Sequence, residues 1–565
     1  MYNHIKKKRH ARKKVNKMNF LLEETSKWLL SLGLIISMGA CSDNDSDENV
    51  PNPGYTPLTD VQVAPRNPYL ASEHYSITHF NSAQTDAFPY AVKDGIFTVN
   101  PENCASTWSG PVNLMTLSST SPDYMWGMSS DRVSYINVKD GKFERIAEAE
   151  LPDIKKHTKE ELEKLTADYS SLNDLTQAAT DILGQMPQMS MANGCYVLCD
   201  KDNYVYINAG RKLSRYRLKN ASKPEEGIML DNTINLASNI ANSRTLVGVS
   251  MTYDGHLIVA AQRCLLMLDR GLTTIEDTYI LPTDQILTNS VSVDENSVYV
   301  ASNSTEPNGK GLMQRIICKN GKFSTDASEG AWQASYDGGP AAPCIKLGYG
   351  TGSTPTLMGF GSDEDKLVVI TDGSKRMKLA AFWRDEIPTD AKVIEEGNPR
   401  LAGVFEVSCG LPVSTEWVQS EQSVVVGGYE AFVVNNIKET AEKATDKIIG
   451  VLAIGPLLEG PKGVECVRWN VKDNKWEALW SRSDISSISM IPAVSTASDM
   501  VFVNGWYDNA GWEITGLDWA TGKTRHQVNL GKSNRGNGAY AILQYFPNGD
   551  LLFNSVAGPF RAPLK

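Results

Sequence analysis

The sequence predicts an all-β fold, a β-propeller of four-stranded antiparallel blades, eight in number with seven as the alternative, carrying small helical insertions. Two recurring patterns predict it. In the first, an apolar strand runs into a short polar turn and then a Val-x-Val strand, at 90–99, 195–207, 249–259, 290–300, 356–370, 416–426, 493–503 and 541–553. In the second, another hairpin closes most units, as at 135–143, 316–323 and 468–476. A lone blade cannot bury both faces, so such units stack radially into a ring.

The turns support the reading. Asp94-Gly95, Asp254-Gly255 and Asn548-Gly549 are dipeptides that tight hairpins prefer, because those turns need positive φ. The last unit is short, and a strand from the N-terminal side, 74–80, is expected to complete it. Two stretches break the rhythm. Thr158 to Glu161 reads as a capping box ahead of an apolar stripe at helical spacing, giving a helical insertion over 152–188. A second, partly helical insertion is expected over 437–462.

Composition removes several classes of function. At 41% hydrophobic and 21% charged, the 565 residues are too apolar for a disordered chain and too polar for a multi-span membrane protein. Net charge is −11, and 9 of the 55 basic residues fall within the first 40 positions, so no nucleic-acid footprint remains in the body.

That basic N-terminus precedes an apolar run, 28–38, which is too short to cross a bilayer and reads as a signal-peptide core. Met1 and Met18 are both possible starts. Gly39-Ala40-Cys41 resembles a bacterial lipobox, which implies acylation of Cys41, a palmitate-type anchor and residence at the cell outer membrane. Ser42 to Glu48 resembles the acidic surface-export signal of some lipoproteins. The domain plan is therefore a signal peptide with lipobox over 1–40, an acidic tether over 41–70 and one propeller over 71–565.

The segment 514–523, ending Asp518-Trp519-Ala520-Thr521-Gly522-Lys523, resembles the repeat of quinoprotein-type, PQQ-like propellers. The stretch 288–436, with its Gly352-Ser353-Thr354-Pro355-Thr356-Leu357-Met358-Gly359 run, resembles a group of exported propeller proteins without an established activity. The first resemblance implies a calcium-bound quinone, a Trp stacked beneath it and often a disulfide between adjacent cysteines. The chain has 12 Trp and 9 Cys but no Cys-Cys pair, so no cofactor is expected, with calcium or a quinone as the alternatives considered.

Loops leading into the innermost strands converge on one rim, where propellers usually bind ligands. The residues expected there are Asn289, Ser290, Ser353, Thr354, Asp372, Glu416, Asn435, Asn436 and Trp506. Such amides and hydroxyls suit a glycan, another small polar ligand or an envelope partner protein. Asp372 and Glu416, from adjacent units, are the acid and base of an alternative enzymatic reading, a hydrolase, lyase or quinone-dependent oxidoreductase. His256 and His526 read as solvated surface residues.

Overall fold

The computed structural model describes residues 55–112, 114–340, 350–437 and 446–565. The expected signal peptide, Cys41 and residues 41–54 of the expected tether lie outside them, as does 438–445 of the second insertion. The described strands form eight sheets, and these are the blades of a propeller. In chain order they span 115–150, 198–235, 246–280, 285–337, 356–406, 425–486, 493–531 and 544–562. Within a blade the first strand lies innermost and each successive strand pairs antiparallel outward, as in Leu246–Met251, Leu257–Ala261, Cys264–Leu268 and Ile275–Ile280.

The expected turn chemistry appears where the chain reverses between paired strands. Gly255 has φ +91° and Gly549 φ +82°. Gly522 has φ +70°, and a Cβ there would stand 2.5 Å from the Trp480 ring. Thr521 completes that turn, donating from its N–H and its hydroxyl to Asp518 Oδ1 at 3.0 and 2.7 Å. This is the physical content of the Asp…Thr-Gly-Lys repeat.

The structure corrects two strand assignments. Asp94-Gly95 turns no hairpin: Gly95–Thr98 lies parallel along the outer strand of the seventh blade. The eighth unit of the ring is instead 115–150, whose inner hairpin lacks an Asp-Gly dipeptide. Nor does 74–80 complete the last blade. Its outer strand is Ala105–Ser106, paired antiparallel with Gly558–Ala562.

Residues 67–88 run along the axis instead. Innermost strands present an unpaired backbone edge to the channel, which must find partners if buried. The axial segment supplies them. Its carbonyls at Tyr75, Ser76, Ser82, Ala83, Thr85 and Asp86 accept N–H bonds from Ser118, Cys199, Val293, Leu357, Val426 and Val494 at 2.7–3.2 Å. Asn67 Nδ2 donates to Met251 O at 2.9 Å, and the Tyr75 hydroxyl to Tyr545 O at 3.1 Å. One segment thus touches the innermost strand of every blade. Tyr75, His79, Phe80, Gln84 and Asp86 hold φ between +57° and +73°, the curled backbone this course requires.

Between blades, the core is aromatic and aliphatic. Trp383 and Trp469, from the fifth and sixth blades, meet edge to face with centroids 5.7 Å apart, both essentially buried. His526 is also fully buried, its Nδ1 donating to Lys93 O (2.7 Å) and its Nε2 lying 3.0 Å from Tyr545 Oη, so it is not the solvated residue expected. The strand Gly95–Thr98 and the rings of Phe502 and Tyr545 cover it.

The helices are α1 (Lys159–Leu165), α2 (Leu172–Leu183) and α3 (Lys447–Ala453). Thr158 and Glu161 form the reciprocal cap of α1. Leu162, Ala179, Ile448 and Leu452 from the three helices share one buried cluster with Ala539 and Val556 of the ring, so the two insertions pack on each other and on the propeller.

Candidate functional site

A cavity of about 650 Å³ opens at the rim where the chain enters the innermost strands. The axial segment bonds to the middle and exit ends of those strands, and its Thr78 is part of the cavity wall. Thr78 is fixed by Val197, with N–H to O at 3.1 Å and Val197 N–H to Thr78 Oγ1 at 3.0 Å.

Most of the wall is apolar, including Leu114, Met115, Leu246, Ile286, Ile491 and Ile542. Polar groups occupy two corners. In the first, Asn289 Nδ2 donates to Gly352 O at 2.9 Å, and its Oδ1 accepts from the Tyr196 hydroxyl and from Ser290 N–H (3.0 Å). Tyr196 Oη also lies 2.8 Å from Thr354 Oγ1, so side chains at the entries of the second, fourth and fifth blades are tied together.

In the second corner, Lys447 Nζ lies 2.8 Å from both oxygens of Glu421, and the Tyr540 hydroxyl donates to Glu421 Oε1 at 2.9 Å. The Lys447 and Glu421 side chains are 6% and 5% exposed. Lys447 opens α3, whose cap Asp446 accepts from Ile448 N–H at 2.9 Å and from Gln188 N–H at 2.8 Å. The cap therefore ties α3 to the wall segment around Gln188. Sequence reasoning missed this corner: Glu421 lies in an irregular run before a strand, and nothing in spacing joins it to Lys447.

Of the nine residues expected at the rim, Asn289 lines the cavity. Ser290 is buried beside it against Gly248, and Thr354 contacts Asn289. Ser353 bonds Thr351 at 2.7 Å. Asn435 and Asn436 hold loops, accepting N–H bonds from Gln419 and Glu421, each at 3.0 Å. Trp506 packs edge to face on Trp512, with centroids 5.6 Å apart.

The two expected carboxylates are not brought together at the cavity. Asp372 is buried and accepts from the N–H groups of Ser374 (3.0 Å) and Lys378 (2.8 Å). Burial pushes its pKa above the usual carboxylate value, and those amides offset part of the rise. Glu416 is exposed and ion-paired with Lys375. Among the described residues, no group of three or more His, Cys, Asp or Glu is placed to hold a metal ion, and the cavity's carboxylate is engaged by Lys447. The donor set for a calcium-bound quinone is thus not assembled there.

No family model matches the chain. An uncharacterized protein of Archaeoglobus fulgidus is 27% identical over 378 residues, covering 63% of this chain and 66% of that protein, slightly under two thirds of its length. Among solved structures, a europium-containing methanol dehydrogenase matches 86% of this chain and 90% of its own at 10% identity and a TM-score of 0.49. A quinohemoprotein alcohol dehydrogenase from Pseudomonas putida matches 86% of this chain and 76% of its own at 10% identity, with a TM-score of 0.46. These likenesses concern the fold and carry no chemistry to this chain.

Proposed function

We propose that the chain is an envelope protein, lipid-tethered through Cys41 to the outer membrane and surface-exposed, whose propeller seats a small molecule in the rim cavity. The cavity itself carries this reading. Its volume lies within the roughly 300–1,000 Å³ range of small-molecule sites, with apolar walls and a few convergent polar groups. That lining differs from the ring of amides and hydroxyls expected from the sequence. It suits a ligand with an apolar body and a polar end that reaches Asn289 or the Glu421–Lys447 corner. Binding rather than catalysis is the role, because both Glu421 oxygens are already held by a cation.

Fluorescence titration with 1-anilinonaphthalene-8-sulfonate tests the site. Saturable binding at about one equivalent is expected, and Ile286→Trp or Ile491→Trp, which fill the cavity from partly exposed wall positions, should abolish it. Unchanged binding by both variants overturns the reading. The tether is tested separately by labelled palmitate incorporation, which Cys41→Ala should eliminate while moving the protein to the soluble fraction.

A further inference from the structure

Two buried polar groups on the cavity wall lack a partner. We propose that the cavity's ligand is an uncharged molecule ending in a carbonyl (an amide, ester or ketone oxygen) that accepts hydrogen bonds from Gln422 and Ser489. This rests on the small-molecule reading above and narrows it to a chemical class.

Both residues belong to one stretch of wall. Gln422 and Ser489 line the cavity together with Glu421, Lys447, Ile491 and Tyr540. Ser487 Oγ donates to Gln422 Oε1 at 3.4 Å. Asn436 bridges the two runs, accepting from Glu421 N–H at 3.0 Å and donating to Ile488 O at 3.3 Å. The residues around 421 and 488 are therefore held side by side, next to the Glu421–Lys447 pair.

Gln422 and Ser489 are each 3% exposed, yet Gln422 Nε2 and Ser489 Oγ have no hydrogen-bond partner among the described residues. Buried polar groups are normally paired, and an unpaired one carries a desolvation cost that a partner recovers. An amide nitrogen only donates and a hydroxyl donates as readily, so the missing partner is an acceptor. The terminal torsion of a glutamine is soft, and its oxygen here is held by one long bond, so turning the amide toward the cavity costs little.

Charge decides the kind of acceptor. Lys447 is already matched by Glu421 in this corner, and both are nearly buried. A ligand carboxylate would add a second buried anion, which is costly, whereas a carbonyl adds no charge. Arg244, the other cation of the wall, is exposed, where an ion pair gains little.

Fluorescence titration of the full-length chain with three dimethylaminonaphthalenes tests this: prodan, which ends in a propionyl ketone, its carboxylate counterpart and its propyl counterpart. Wild type is expected to bind the ketone about 10-fold more tightly than the carboxylate. The ketone-to-propyl affinity ratio should fall by about 10-fold in Ser489→Ala and in Gln422→Met. Ser489→Ala removes a hydroxyl that no described group bonds, so its thermal midpoint should match wild type. The bound ketone's carbonyl stretch, read by difference infrared spectroscopy, should lie at lower frequency in wild type than in that variant. A carboxylate bound as tightly as the ketone, or a ratio unchanged in both variants, overturns the proposal alone when anilinonaphthalene sulfonate still saturates the cavity. Failure of every probe, the sulfonate included, overturns the small-molecule reading with it.

Discussion

His79 Nδ1 lies 2.8 Å from Asp86 Oδ1 and 2.9 Å from Oδ2, with both side chains at 0% exposure in the axial segment. Burial raises the Asp86 pKa, and the His79 charge and hydrogen bond offset part of that rise. A carboxyl whose folded pKa exceeds its unfolded value contributes stability that is present at low pH and lost as pH rises through the folded value. Asp86→Asn removes that contribution but retains an acceptor for the ring. Urea midpoints should show wild type gaining on Asp86→Asn as pH falls from neutral. Asp86→Ala, which strands the imidazole, should cost about 3 kcal/mol.

Asp131 has the opposite sign. It accepts from His157 N–H at 2.9 Å, from Arg132 Nε at 2.9 Å and Nη2 at 2.8 Å, and from Gly110 N–H at 3.2 Å. Burial alone would raise its pKa, but the His157 and Arg132 hydrogen bonds and the Arg132 charge outweigh it and hold the carboxyl well below 3.8. Its stabilisation is full above that ordinary value and disappears as pH falls through the lower folded one. Asp131→Asn should cost about 3–5 kcal/mol at pH 7 and flatten the acid-unfolding profile below the ordinary carboxylate value, read as urea midpoints from pH 7 down to about pH 2.

Arg535 joins the closing strand to the ring. Fully buried, it donates to Val556 O and Gly558 O at 2.8 Å each, to Ser555 Oγ at 3.2 Å and to Ser106 Oγ at 2.8 Å, with its guanidinium 4.3 Å from the Trp108 ring. Arg535→Met leaves several buried acceptors without donors and should destabilise by about 3 kcal/mol or more. Hydrogen exchange should report it first at Ala105–Ser106 and Gly558–Ala562. Arg535→Lys restores part of the protection, because one ammonium cannot reach all four oxygens.

The parts that were legible share a physical basis. Asp254-Gly255 and Asp518 to Lys523 encode turns in consecutive residues, and alternation within a strand encodes which faces pack, so blades could be read locally. Chain closure could not. The choice between 74–80 and Ala105–Ser106 as the outer strand depends on which short segment reaches Gly558–Ala562. The axial segment reaches six of the blades through backbone carbonyls, for which side-chain pattern carries no signal. Asn289 was found because it stands directly before an innermost strand. Glu421 and Lys447 were missed because an insertion separates them and only the packing of α3 on the rim brings them together.

That buried pair makes a double-mutant cycle decisive for the charged corner of the cavity. Removing either member takes this counter-ion away from a charge shielded from water, whereas removing both leaves neither charge. Lys447→Met or Glu421→Gln alone should therefore cost about 3–5 kcal/mol, and the double variant should recover most of it. Glu421→Gln also keeps an acceptor for the Tyr540 hydroxyl, so loss in that variant isolates the charge from the hydrogen bond. Chemical denaturation of all four proteins gives the coupling energy. A ligand whose polar end reads this corner should bind the double variant more weakly than wild type even though its fold is restored, while one held by Asn289 should not distinguish them.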